Sequence, residues 1–487
     1  MGGLVTFQKS RLEQLDDEKA LQELLNGMEV NEAALLSLIE ECQSISIETP
    51  PDILVFYQKL LSLLFILRFC DIQSRTIDLH VQELLKKGKN EGYWESYQLP
   101  LAYAALASHL LTEEPVQLNI KQLEKGGVLL ENGHHFLEGQ VVKLVESVHL
   151  ALLWIYLGWS SGEANIFNAG LKLSGFCRNL CDKEGRPFHG LWMKEHEYQP
   201  EALLLPFSLL FSVAKHLSLS CKTSMEREGF WEKQGLLRWD ASNRWIGGLA
   251  RGFEKLIERQ TPLPDEYVEP IVHTIDSSLG FIRYDYESLN LVCSACGVNT
   301  GLGAIHKKGV RIVSFGPHYY PLADSDCFGI YRPSNGSTEG FKDLIMESEE
   351  NRCRFKGWSR IMSRKSEEPG NQWIFFDIHA QEEFLDIDVR LSQCLDTTPL
   401  AFAFFISAQK VCIGKEQTLR PGSIERYQGE STTLVFEKDQ EFLTLISQYP
   451  GDMQVIPLAG KRHFWSADFL IAFPIKEKLK PLSWKVE

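Results

Sequence analysis

Adjacent histidines at 134 and 135, and a stretch from Phe188 to Tyr198 rich in Trp, His and Tyr, are the parts of this sequence best equipped to move protons. Imidazole exchanges a proton near neutral pH, and a phenol can donate one. The spacing predicts that His134 and His135 begin a helix over 137–158. Neighbouring helical residues point about 100 degrees apart, so one of the two faces a given cleft; a capping or solvent-facing pair is the other reading. Glu138, three residues after His135, shares its helical face, where it orients the imidazole or serves as a first-turn carboxylate. In the second stretch His189, His196 and Tyr198 bring titratable groups and Trp192 a ring that stacks on sugar faces; the plain alternative is a packed interhelical loop. Arg178, on the helix entering that loop, has the fork geometry to bind a carboxylate, or is simply solvated.

The elements that must hold these residues follow from periodicity. Up to about residue 260 apolar residues recur at three and four, as in Leu21, Leu24, Leu25 and Met28, which predicts a succession of amphipathic helices. Segments near 33–41, 53–69 (after Pro50-Pro51), 71–87, 97–111, 137–158, 165–181, 201–217 and 246–259 have helical length and breaks. Helices in series with no strand between them pack as hairpins in a layer or ring. From Gly280 onward the pattern changes to short alternating or β-branched runs. These are Phe281–Tyr286, Asn290–Ala295, Val310–Phe315, Trp373–His379, Phe384–Leu391, Leu400–Ser407, Thr432–Glu437 and a closing Trp465–Phe473. Many strands without helices between them predict an antiparallel sandwich. The expected division is a helical domain over 1–265 and a β domain over 266–487.

Composition narrows the function. With 487 residues, 44% of them apolar and 24% charged, the chain is a folded protein of more than one core. A formal net charge of -15 argues against non-specific nucleic-acid binding. The apolar run Leu60–Leu67 ends at Arg68, short of a membrane span, and the start lacks the basic and apolar segments of a signal peptide, so a cytoplasmic location is expected. Eleven cysteines make no disulfide framework. Cys293 and Cys296, three apart in a strand-like run, are expected on opposite faces as ordinary buried thiols. Phosphate-binding glycine loops, nucleophile elbows and zinc helices are missing from the motif inventory.

Several segments, in the right order over residues 90 to 320, resemble the heparinase II/III-like polysaccharide lyases. Tyr93-Trp94-Glu95-Ser96-Tyr97-Gln98-Leu99 is similar to that family's aromatic lead-in to an early toroid helix. Gly133-His134-His135-Phe136-Leu137-Glu138 is similar to its Gly-Asn-His-Leu-Leu-Glu helix start, with His135 on the histidine. Cys181 to His189 looks like an expanded Asp-Gly-Gly-His-Phe-Glu turn, with Tyr198 downstream. Leu279–Arg283 and Gly301–Pro317 resemble the first strand and next hairpin of its sandwich. The resemblance implies an N-terminal incomplete α/α toroid followed by a large antiparallel β-sandwich. It also implies a polysaccharide partner and eliminative cleavage of a uronic-acid polymer in a cleft between the two.

That chemistry needs a group to neutralise the uronate carboxylate, a base for the adjacent proton and an acid for the leaving oxygen. The resemblance favours His135 as base; Tyr198 is the candidate acid, His189 and His196 are supporting or alternative bases, and His134, Glu138, Arg178, Trp192 and His196 are candidates for substrate contact. Where the family carries a His-x-His-x-Asp-like cluster this chain reads Gly297-Val298-Asn299-Thr300-Gly301, so no metal ligand set and no cofactor are expected. Asn299 there can hydrogen-bond a carboxylate, or is turn chemistry beside Gly. His306, before Lys307-Lys308-Gly309, reads as a hairpin tip. His318 and Tyr319, after Gly316-Pro317, are expected to line the substrate face. Asp386 and Asp388 read as an exposed sheet face. The competing readings are a catalytically degenerate member acting as a binding or scaffolding module, and a glycoside hydrolase using Asp182 or Glu184.

Overall fold

The structure, a computed structural model, describes residues 32–48, 50–70, 75–90, 98–112, 128–129, 135–137, 140–141, 144–180, 188, 206, 209–210, 213, 244–265 and 274–277. It goes on to describe 280–298, 301–307, 309–321, 329–331, 338–364, 368–392, 398–414, 417–449, 451–458, 467–476 and 481–487. The chain divides into two compact units. One comprises Met1–Glu138, Val145–Arg178 and Glu201–Ile271, and the other Gly139–Leu144, Asn179–Pro200 and Val272–Glu487. Phe188, the first residue of the aromatic stretch singled out above, belongs to the second unit.

The first unit is built of helices: α1 (Glu32–Ser44), α2 (Pro50–Cys70), α3 (Arg75–Asn90), α4 (Gln98–Thr112), α5 (Leu144–Ser161), α6 (Ala164–Asn179) and α7 (Arg244–Glu258). Pro50 and Pro51 open α2, where a missing N–H is tolerated, and Asp52 follows in the first turn. Helix α2 is apolar nearly all round, and Phe56, Tyr57, Leu60, Leu61 and Phe65 are fully buried as it packs against α4 and α7. Helix α7 is one-sided instead, burying Trp245, Ile246, Leu249 and Phe253 while Arg251, Lys255 and Glu258 form ion pairs outside. Helices α5 and α6 meet backbone to backbone: a Cβ on Gly158 would come within 2.3 Å of Phe167 N, and one on Gly170 within 2.7 Å of Ile155 N. Among the described residues no helix is long and apolar enough to cross a membrane.

Helix α5 begins at Leu144, later than its periodicity predicts. The preceding residues form short strands, β1 (Val128–Leu129), β2 (His135–Leu137) and β3 (Gln140–Val141), with β1 antiparallel to β2. His135 is therefore in a strand and does not start a helix. Its backbone pairs with Leu129, and Gly139 interrupts the apolar pattern that suggested a helix.

The second unit holds β4 (Ile275–Asp276), β5 (Phe281–Tyr286), β6 (Leu289–Val298), β7 (Gly301–Lys307), β8 (Val310–Tyr319), β9 (Phe341–Ser348), β10 (Arg352–Met362), β11 (Pro369–Gln381) and β12 (Phe384–Leu391). It continues with β13 (Leu400–Ser407), β14 (Lys410–Ile413), β15 (Gln417–Leu419), β16 (Tyr427–Gly429), β17 (Thr433–Lys438), β18 (Glu441–Ser447), β19 (Met453–Pro457), β20 (Phe469–Pro474) and β21 (Leu482–Val486). They form two 9-stranded sheets. Sheet I runs β16-β19-β20-β13-β8-β7-β6-β5-β4 and sheet II runs β15-β14-β17-β18-β21-β12-β11-β10-β9.

One apolar core draws on both sheets, which makes the unit a β-sandwich. Phe402 of β13 stacks on Trp484 of β21 at 4.4 Å, and Ser359 of β10 donates to the Ala295 carbonyl of β6 at 2.8 Å. Cys293 and Cys296 both join this core, contrary to simple alternation. A bulge between Cys293 and Val298, with Gly297 at φ 88, turns Cys296 back to the face that Cys293 already occupies. Strand β21 lies inside sheet II, pairing with β12 on one side and β18 on the other.

Candidate functional site

Sheet I sends Ile282, Leu291, Ile305 and Ile312 into the core, so period-two alternation puts their neighbours on the other face. The register aligns those neighbours in a row across five strands. Asp285 of β5 is opposite Asn290 of β6, Asn290 is opposite His306 of β7, His306 is opposite Arg311 of β8, and Arg311 is opposite Ser407 of β13. Directly opposed side chains in an antiparallel pair lie about 5 Å apart at Cβ. An imidazole thus stands between an amide and a guanidinium. Asn290, His306, Arg311 and Ser407 are all buried, and polar groups in such a setting need partners of their own.

Some of those partners are visible. Arg283 pairs with Asp285 at 2.6 Å, and Asn290 donates to the Ser288 carbonyl at 3.3 Å. At the other end Ser407 donates to Asp468 at 3.0 Å and accepts from Lys438 at 3.3 Å. Burial raises the Asp468 carboxyl above its ordinary pKa, against the hydrogen bonds and charge that lower it. His306 itself carries the ring of Phe188 at a centroid distance of 4.3 Å. Phe188 is buried, and its N–H donates to the Leu180 carbonyl at 3.0 Å. The start of the aromatic stretch is therefore fastened to the polar row.

Lys307 pairs with Val310, so the chain turns back directly after His306, as expected. His306 itself lies within β7 at 1% exposure, opposite Arg311 in the buried stretch of β8. His318 is fully buried on β8 opposite Ala401, its ring edge-on to Phe405 at 5.2 Å. Neither of its nitrogens has a hydrogen-bond partner among the described residues, and burial pushes its pKa down to about 3. Tyr319 turns the other way, into the core, and donates to the Met362 carbonyl at 2.7 Å. The two neighbours thus serve different faces of the sheet. Asp386 and Asp388 stand on the exposed face of β12, as expected, where Asp388 accepts from Ser483.

His134, Glu138, His189, Trp192, His196, Tyr198 and Asn299 lie outside the described residues, as do the side chains of His135 and Arg178. Among the described residues no group of three His, Cys, Asp or Glu side chains is arranged to hold a metal ion.

The helical unit holds a second polar cluster that the sequence reading did not select. His149 of α5 shares a hydrogen bond of 3.4 Å with Tyr103 of α4, and Gln58 of α2 donates to the same phenol at 3.4 Å. Trp245 of α7 meets the His149 ring edge-on at 5.0 Å. Burial lowers the His149 pKa to about 3. Tyr103 and His149 are each flanked by apolar residues, so periodicity alone files them with the core.

No family model and no curated protein matches this chain. Among solved structures the chain is similar to the chondroitin AC lyase of Streptomyces coelicolor A3 in complex with chondroitin sulphate, at 10% identity over 96% of this chain and 74% of that one, with a TM-score of 0.49. A mutant of the same enzyme gives 10% identity over 99% and 74%, with a TM-score of 0.46. A chondroitinase AC lyase studied with oligosaccharides gives 8% over 96% and 82%, with a TM-score of 0.36.

Proposed function

We propose that this chain is a carbohydrate-active protein of the polysaccharide-lyase type, with the helical unit as an incomplete toroid, acting by elimination on a uronic-acid-containing polymer. The observation that carries the reading is the contact of Phe188 with His306. Phe188 opens the stretch that in the sequence bears His189, Trp192, His196 and Tyr198, and His306 belongs to a sheet row whose side chains suit the chemistry. Asn290 and Arg311, flanking His306, are the groups that neutralise a carboxylate and so acidify the carbon next to it. His306 or His189 takes that proton, and Tyr198 returns one to the leaving oxygen. His135 remains the alternative base that the sequence resemblance favours, and Arg178 and Asn299 remain candidates for substrate contact by their chemistry.

The burial of the same row favours a second reading. His306 is 1% exposed beneath Phe188, as suits a structural network in a non-catalytic binding or scaffolding member. An absorbance screen for unsaturated uronate, run on a panel of uronate polymers, separates the two. The lyase reading expects product from at least one polymer, with His306→Ala and Tyr198→Phe each losing about 100-fold or more in rate. Polymer binding without product in the unaltered protein overturns the lyase reading and leaves the binding module.

A further inference from the structure

The outer face of sheet II carries a surface of different chemistry, formed by four consecutive strands. In one register row stand Lys342 of β9, Trp358 of β10, Phe375 of β11 and Arg390 of β12. The neighbouring row pairs Arg360 of β10 with Trp373 of β11. These side chains alternate with buried core residues, so the whole set faces outward. Lys342 and Arg390 are exposed, and the three aromatic rings and Arg360 are partly so.

Cations lie on the ring faces. The Lys342 ammonium is 4.7 Å from the Trp373 centroid and 5.7 Å from that of Trp358. The Arg390 guanidinium is 4.6 Å from Phe375 and 5.7 Å from Trp358, and that of Arg360 is 5.6 Å from Trp373. Trp358 and Phe375 meet edge to face at 5.3 Å. Among the described residues no carboxylate pairs with Lys342, Arg360 or Arg390. The nearby Asp377 is taken up by Arg354 at 2.9 Å and Lys356 at 3.5 Å. A chain of net charge -15 thus keeps a cluster of cations where two indoles reach the outside of the sheet together.

Aromatic rings aligned with cations suit a ligand with apolar faces and regularly spaced negative groups. The row spans three strand spacings of about 4.8 Å, or roughly 14 Å, long enough for an oligosaccharide and too long for a single sugar. We infer that the outer face of β9–β12 docks an anionic polysaccharide, with Trp358, Trp373 and Phe375 stacking on sugar rings and Lys342, Arg360 and Arg390 meeting carboxylate or sulfate groups. This surface is on the opposite sheet from His306 and does not depend on the elimination reading.

Affinity electrophoresis of the full chain tests it, with polygalacturonate, chondroitin sulphate, dextran or a single-stranded oligonucleotide in the gel. Retardation is expected with one or both anionic polysaccharides, the difference between them telling carboxylate from sulfate recognition, and none with dextran. Lys342→Gln combined with Arg390→Gln weakens binding about tenfold or more, and Trp373→Ala about fivefold, with Trp373→Phe retaining part of the affinity. The charge variants lie on the exposed face, so their melting temperature stays near that of the parent and reports an intact fold. Polysaccharide binding untouched by both sets of variants overturns the assignment, as does the absence of binding to either polymer. Tighter retention of the oligonucleotide with the same variant dependence overturns it in favour of nucleic acid.

Discussion

His149 and His318 sit in different units and share one electrostatic fate, since burial pushes each down to about 3. Their surroundings differ. His149 is set among helices with Tyr103 as a hydrogen-bond partner and Trp245 against its ring, whereas His318 lies on a strand with only the edge of Phe405 beside it among the described rings. Loss of water alone fixes the charge state of both; the partner decides whether the polar atoms stabilise the fold. A satisfied buried hydrogen bond contributes about 1 kcal/mol, and an unsatisfied group costs about 1–3 kcal/mol. On this measure His149 supports its helices, while His318 is a cost that the rest of sheet I offsets.

The largest test of this comparison is pH. Both histidines have a folded pKa below the unfolded one, so the unfolded chain binds more protons between about 6.5 and 3. The neutral forms stabilise the fold fully above 6.5, and that stability drains away as pH falls toward 3, by about 1.4 kcal/mol per pH unit for each histidine. Urea midpoints measured from pH 7 to 4 should fall accordingly, and the slope should flatten in His149→Phe and in His318→Phe. A slope that neither substitution changes would mean that neither group is buried neutral. Next in size, His149→Ala should cost roughly 3 kcal/mol at pH 7, because it leaves a cavity and strips Tyr103 of a partner. The smallest effect has the opposite sign. His318→Phe should raise stability by about 1 kcal/mol at pH 7, measured the same way, since no visible hydrogen bond is lost. A loss of similar size would show that His318 has a partner and that the contrast with His149 is only apparent.

Legibility from sequence followed the range of the interactions. Phe281–Tyr286, Phe384–Leu391 and Leu400–Ser407 were readable to the residue because alternation and turns are local signals. Helices α2 and α7 were readable from their apolar periods. His135 was misread because Phe136 and Leu137 suit a strand as well as a helix start, and only pairing with Val128–Leu129 decides between them. Cys296 needed a bulge that no composition announces. The polar row at His306 and the surface at Trp358 depend on registers among strands far apart in sequence. Residues 342, 358, 375 and 390 have no common spacing, and only hairpin lengths bring them into line.

The placement of β21 between β12 and β18 has a bearing on how the chain is made. Leu385 and Leu445 both pair with Val486, so neither neighbouring strand finds its native edge partner until that residue has left the ribosome. Without β21, sheet II divides into two ribbons, β15-β14-β17-β18 and β12-β11-β10-β9, and the core they face lacks Trp484. Pairing of β21 with both neighbours is the event that joins them, and until then their unpaired edges are exposed to wrong pairing.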